Sequence, residues 1–133
     1  MKNCIFCKIV RGEILSTKVY EDENFLAFLD IHPRNPGHTQ VIPKKHYRWV
    51  WDMPEVGLYM EICKKIANAQ RRAFETEWVV STIFGEEVPH AHIWLIPRVP
   101  NDGHGGSLVV SNVKTQSKEE MDTAAEKIRK ALA

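Results

Sequence analysis

Cys4-Ile5-Phe6-Cys7, His38, His46 and the pair His90 and His92 are the residues of this chain whose types and spacing could do chemistry. The two paired histidines lie in Val88-Pro89-His90-Ala91-His92-Ile93-Trp94-Leu95-Ile96-Pro97. Read as a strand with a side-chain period of two, this stretch puts His90, His92, Trp94 and Ile96 on one face and Ala91, Ile93 and Leu95 on the other. The second face is core. Two imidazoles side by side on the first suit metal ligation, general acid–base work or nucleophilic attack. A lone buried histidine more often has only structural partners. Two on one face, with further histidines and a Cys-x-x-Cys elsewhere, favour chemistry.

The elements that must position these groups are legible in order. Residues 6–11 form a short helix ended by Gly12, and Lys18–Glu21 and Phe25–Leu29 pair as a hairpin across the polar turn Asp22-Glu23-Asn24. Two prolines and a glycine make Asp30–Gly37 a loop, and a third strand follows over His38–Pro43, with His38 and Gln40 on one face. Asp52-Met53-Pro54-Glu55 has an N-cap acid, a proline tolerated in the first turn and a glutamate three residues on, which opens a helix running to about Phe74. Val56, Tyr59, Met60, Cys63 and Ala67 form its apolar stripe, read as core. Trp78–Phe84 is a fourth strand, turned by Gly85-Glu86-Glu87 into the histidine strand. Pro100–Gly106 is a loop of mobile composition, Ser107–Val110 a further short strand, and Ser117-Lys118-Glu119-Glu120 a capping box opening an amphipathic C-terminal helix through Leu132. Hairpin connections and one long interrupting helix imply an α+β fold: a mainly antiparallel sheet of five to six strands with the helices on one face.

At 133 residues, without repeat or linker, the chain reads as one domain over residues 1–133 that needs no staples. A formal net charge of +1 with 26% charged residues implies no nucleic-acid partner, and the lack of a long apolar run implies no membrane span or signal peptide, hence a cytoplasmic protein. Three cysteines, two of them as Cys4-x-x-Cys7, suit metal or thiol chemistry in a reducing compartment. No strand precedes the pair, which argues against the redox reading. Cys-x-x-Cys with two distant histidines could close a tetrahedral zinc site, and free thiols are the alternative.

Taken together, Cys4-x-x-Cys7, Asp30-Ile31, Pro36-Gly37-His38-Thr39, Val41-Ile42-Pro43-Lys44-Lys45-His46 and Val88-Pro89-His90-Ala91-His92 follow one another as in the histidine triad (HIT) family of nucleotide hydrolases and transferases, which the chain resembles over residues 4–98. Residues 99–133, with the loop, short strand and helix, carry little of the likeness. The resemblance implies an antiparallel α+β domain, commonly a homodimer, acting on the α-phosphate of a purine mononucleotide or nucleotide conjugate. It makes His92 the nucleophile that forms a nucleotidyl intermediate, with His90 orienting it through its carbonyl and His38 supporting it from the neighbouring strand. Asp30 falls where the family grips the ribose, and Phe6, Ile9, Ile14, Phe28 and Ile31 where it sandwiches the base, although by composition each of these apolar residues is equally ordinary core. Some bacterial members bind structural zinc through positions matching Cys4, Cys7, His46 and His90.

Two departures stand out. Trp94 occupies the third triad position, where relatives carry histidine and the transferase branch carries glutamine, and indole offers only an N–H donor. Glu86 falls where many members carry a phosphate-binding glutamine. Ser81 and Thr82 offer replacement donors; Arg98 and Lys44-Lys45 read as solvated basic surface. The leading reading is a hydrolase of phosphoramidates or dinucleotides. A nucleotide-binding or regulatory protein with weakened catalysis and a nucleotidyltransferase are the alternatives.

Overall fold

The computed structural model describes residues 3–133. Its elements are α1 (Ile5–Val10), β1 (Lys18–Glu21), β2 (Phe25–Leu29), β3 (Thr39–Pro43), α2 (Val56–Ala73), β4 (Val79–Thr82), β5 (Ile93–Pro97) and α3 (Lys118–Leu132). The strands form one antiparallel sheet in the order β1-β2-β3-β5-β4. This is the expected α+β architecture with five strands. Ser107–Val110 adds no sixth, because the segment is folded in turns around His104, whose Nδ1 accepts the Val109 N–H at 3.1 Å.

Side-chain alternation splits the sheet into two faces. Phe25, Ala27, Leu29, Val41, Ile93 and Leu95 pack with Tyr59, Cys63 and Ile66 of α2 and with Met121, Ala125 and Ile128 of α3. Leu26, Phe28 and Ile42 face the other way, onto Cys4, Phe6, Cys7 and Ile9. So α2 and α3 share one face as expected, while α1 covers the opposite one. A six-residue helix is too short to hold itself and owes its place to this packing.

Two further expectations are corrected. The stretch Asp52–Glu55 does not cap α2: Asp52 ends a 3-10 turn over Val50–Asp52, and the helix starts at Val56 behind Glu55 with no side-chain cap. The proline at 54 holds the chain extended at Met53 and delays the helix. Met60 is 48% exposed, since the buried stripe runs through Tyr59, Cys63, Ile66 and Gln70. The capping box at Ser117 and Glu120 forms as read.

Gln70 ties the sheet where β3 and β5 meet. Fully buried, it donates through Nε2 to the carbonyls of Gly37 and Leu95, both at 3.0 Å. Gly37 has φ +87°, and a Cβ there would lie 2.4 Å from the Phe74 ring, so only glycine fits the turn that delivers His38 to the head of β3.

Candidate functional site

β5 begins only at Ile93, so His90, at the end of a bend, and His92 lie just ahead of the strand, yet the face alternation holds through them. Cys4 caps α1 and accepts the Cys7 N–H at 3.4 Å, which turns both thiols toward this lead-in. Cys4 Sγ lies 3.3 Å from His90 Nδ1, Cys7 Sγ lies 3.5 Å from the same nitrogen and 3.3 Å from His46 Nδ1, and the four ligand atoms lie within 4.8 Å of one another.

A tetrahedral zinc with ordinary Zn–S and Zn–N bonds would separate sulfur from nitrogen by about 3.6 Å, so the spacing fits. The donor set fits as well. His90 Nε2–H donates to the Pro43 carbonyl at 2.8 Å, which leaves Nδ1 bare toward the thiols. Burial holds the His90 ring down to about 4 and the His46 ring below its ordinary range, so both are neutral as ligands must be. Burial, and then Cys4 alongside, raise the Cys7 thiol, and a bound cation would displace that proton.

The second constellation lines a cleft of about 420 Å³. His92 is 6% exposed, and its Nδ1–H donates to the His90 carbonyl at 2.8 Å. That bond settles the tautomer and aims an unprotonated Nε2 into the cleft. Burial lowers its pKa, which keeps the nucleophilic nitrogen free. The Phe6 ring stands at 87° to the imidazole with centroids 5.3 Å apart.

Asp30 forms the opposite wall. Its Oδ1 accepts the His32 N–H at 2.7 Å and its Oδ2 accepts from Gln40 Nε2 at 3.1 Å. Burial nevertheless raises its pKa. His38 is fully buried behind it. Its Nδ1 accepts the Arg34 N–H at 3.1 Å, so the proton sits on Nε2, 3.7 Å from Asp30 Oδ2 and without a hydrogen-bond partner. Burial pushes this ring down to about 3 and keeps it neutral. Its centroid is 4.5 Å from that of Trp94, and the two rings meet at 69°.

Phe6, Asp30, Ile31, His92 and Trp94 are thus brought together around one cleft. Ile9 and Phe28 form a buried layer with Phe6, with Ile14 packed against it, and none of the three reaches the cleft wall. Ser81 does not reach it either: opposite Leu95 in the register, it points to the helix side of the sheet and lines a groove with Met60 and Ala67. Arg98, expected in solvent, is 1% exposed and paired with Asp102 at 2.7 Å and 3.0 Å. Gln40 and Arg34 escaped the sequence reading as site residues. Gln40 shares a strand face with His38, a signal that was available. Arg34 sits in a proline-rich loop and gave none.

A family model described as HIT domain matches residues 11–101. An uncharacterized HIT-like protein of Methanocaldococcus jannaschii is 46% identical over 106 residues, covering 75% of this chain and 82% of its own length. The adenosine 5'-monophosphoramidase HNT1 of Saccharomyces cerevisiae is 41% identical over 111 residues, covering 80% of this chain and 68% of its own. A zinc-bound histidine triad family protein of Mycobacterium smegmatis superposes with a TM-score of 0.81 at 32% identity, over 98% of this chain and 94% of that one.

Proposed function

This chain belongs to the HIT domain family, and from that premise we propose that it hydrolyses purine nucleotide conjugates at the α-phosphate through a nucleotidyl-His92 intermediate. The observation that carries the reading is the His92 ring: one nitrogen tied to the His90 carbonyl at 2.8 Å, the other open to a cleft walled by Asp30. Nε2 attacks phosphorus, the bond from phosphorus to the conjugated group breaks and that group departs with the electron pair, while Nδ1–H, held by that carbonyl, spreads the positive charge the ring acquires. Water then displaces the imidazole and releases the nucleotide. Asp30, with two acceptor oxygens at the cleft wall, suits the vicinal hydroxyls of a ribose, and Phe6 and Ile31 offer apolar contact to a base. His38 supports the site by packing behind Trp94 and beside Asp30.

Cys4, Cys7, His46 and His90 would hold a zinc ion, which supplies structural closure by tying the N-terminal helix to the segment that carries His92. A homodimer is supported by β4, an edge strand of the sheet beside a groove that exposes Met60. A cytoplasmic location is supported by three cysteines of which none forms a disulfide among the described residues, and no described helix is long and apolar enough to cross a membrane. Trp94 at the third triad position favours a second reading, a nucleotide-binding protein of weakened catalysis, since indole cannot exchange a proton at neutral pH.

Release of AMP from a set of adenylyl conjugates, measured beside His92→Ala, tests the proposal. The wild type should turn over at least one conjugate, and the variant should lose roughly 10⁴-fold or more. AMP binding without release from any conjugate would decide for the second reading.

A further inference from the structure

We infer that Trp94 and Arg34 form a leaving-group subsite that selects conjugates releasing an anion, such as a sulfate, a phosphate or a carboxylate joined to the nucleotide in an anhydride, over those releasing an amine. The inference rests on the hydrolase reading above and names its substrate class.

Two observations carry it. The side chain following His92 on the same face of the strand is an indole, half-buried, packed edge-on against Phe84 with centroids 5.1 Å apart. It cannot deliver a proton to a departing atom. Arg34 lies over that indole, its Cζ 4.7 Å from the ring centroid, on the wall of the same cleft. The guanidinium is anchored rather than waving in solvent. Its Nε donates to the Val110 carbonyl at 2.7 Å and its Nη1 to the His32 carbonyl at 2.8 Å. The Arg34 carbonyl itself accepts from His104 Nε2 at 2.7 Å. Among the described residues no protein hydrogen bond uses Nη2. A fixed, permanent cation with a spare donor therefore stands where a proton donor would be needed for an amine.

The chemistry follows from that exchange. When Nε2 of His92 forms its bond to phosphorus, the bond from phosphorus to the leaving atom breaks and its electron pair stays on that atom. An anhydride oxygen leaves as a stable anion, which the guanidinium stabilises, and no proton is required. An amine leaves only after gaining a proton on nitrogen. The other ionisable groups on the wall offer no placed acid: Asp30 accepts from His32 N–H and Gln40 and stands 4.0 Å from Arg34, the His32 ring is exposed and among the described residues makes no hydrogen bond, and Glu86 and Glu87 are exposed on the turn before the histidines.

The test compares kcat/KM for adenosine 5'-phosphosulfate and adenosine 5'-phosphoramidate in the wild type, Trp94→His and Arg34→Gln. Sulfate is intrinsically the better leaving group, so the change of the ratio on substitution carries the test. The wild-type ratio should favour the anhydride by at least about 100-fold, the scale of one general acid. Trp94→His should narrow the ratio at least tenfold by raising amidate turnover. Arg34→Gln should lower anhydride turnover at least tenfold more than amidate turnover. AMP affinity and melting temperature, read for each variant, separate a folding loss from a subsite effect, and should Trp94→His not fold, Arg34→Gln decides. An amidate turned over as fast as the anhydride, or a ratio that neither variant moves, overturns the inference and leaves the hydrolase reading standing. Turnover of neither substrate by the wild type, with AMP bound, removes both.

Discussion

Asp102→Asn puts a number on the loop that supports the cleft. Asp102 Oδ2 accepts from Arg98 Nε at 2.7 Å, from Asn35 Nδ2 at 2.8 Å and from Val99 N–H at 3.3 Å, and Oδ1 accepts from Arg98 Nη2 at 3.0 Å and His104 N–H at 3.2 Å. The Arg98 bond depresses the carboxyl pKa most, well below the usual carboxylate range. Asparagine keeps an oxygen for only one of these sets. Its amide nitrogen then faces Arg98 Nη2 donor to donor, and a guanidinium whose side chain is 1% exposed is left without its counter-charge. Breaking one side of a buried pair costs about 3 kcal/mol at the low end of the usual range. For 133 residues the unfolding entropy is roughly 0.28 kcal/mol/K, so the melting temperature should fall by roughly 11 °C at pH 7. A depressed folded-state pKa contributes stability that is present above the unfolded carboxylate value near 4 and lost as pH falls through the folded one. The gap between wild type and variant, followed by calorimetry, should therefore close below about pH 4. A shift under about 3 °C at pH 7, or a gap that widens in acid, would mean that the Arg98–Asp102 pair does not hold this loop.

Three other outcomes follow from the same structure. Protein purified without added metal should carry one zinc per chain, and Cys4→Ser or chelation should lower stability by more than about 2 kcal/mol; a melting curve indifferent to both removes the metal site. Gln70→Leu strips the donor from the Gly37 and Leu95 carbonyls at a fully buried position and should cost about 2 kcal/mol, read as a lower urea midpoint with an unchanged slope. Gly37→Ala must place a methyl 2.4 Å from the Phe74 ring at φ +87°, and should destabilise by at least about 2 kcal/mol; a neutral result would mean the turn relaxes freely.

Much of this molecule was legible in its sequence because the informative signals were local. Period-two alternation through Val88–Pro97 placed Ile93 and Leu95 in the core and His92 and Trp94 on the working face, as the packing shows. The Ser117 capping box was read correctly for the same reason, since all its parts lie within one helical turn. Most of what escaped depends on contacts between distant segments. Arg98 looks like a surface residue until Trp78, twenty positions earlier, lays its ring against the guanidinium, 4.1 Å from Cζ to the ring centroid. Arg34 is held at the cleft by Val110, far along the chain, which accepts its Nε–H, and by the Trp94 ring beneath it. The position of α1 on the other face of the sheet is set by where Leu26, Phe28 and Ile42 point to receive Phe6, Cys7 and Ile9. Asp52 failed as a cap because Pro54 blocks the helical turn that would have used it.

The alternation along β5 makes one error unforgiving. Gln40 pairs with Trp94, and Val41 with Ile93. A slip of a single residue in this register would carry His92 and Trp94 toward α2 and expel Ile93 and Leu95 into the cleft. Cleft and hydrophobic interior are written as the even and odd positions of the same line. Insertions or deletions between Val88 and Pro97 should therefore be lethal to folding and to chemistry at one stroke.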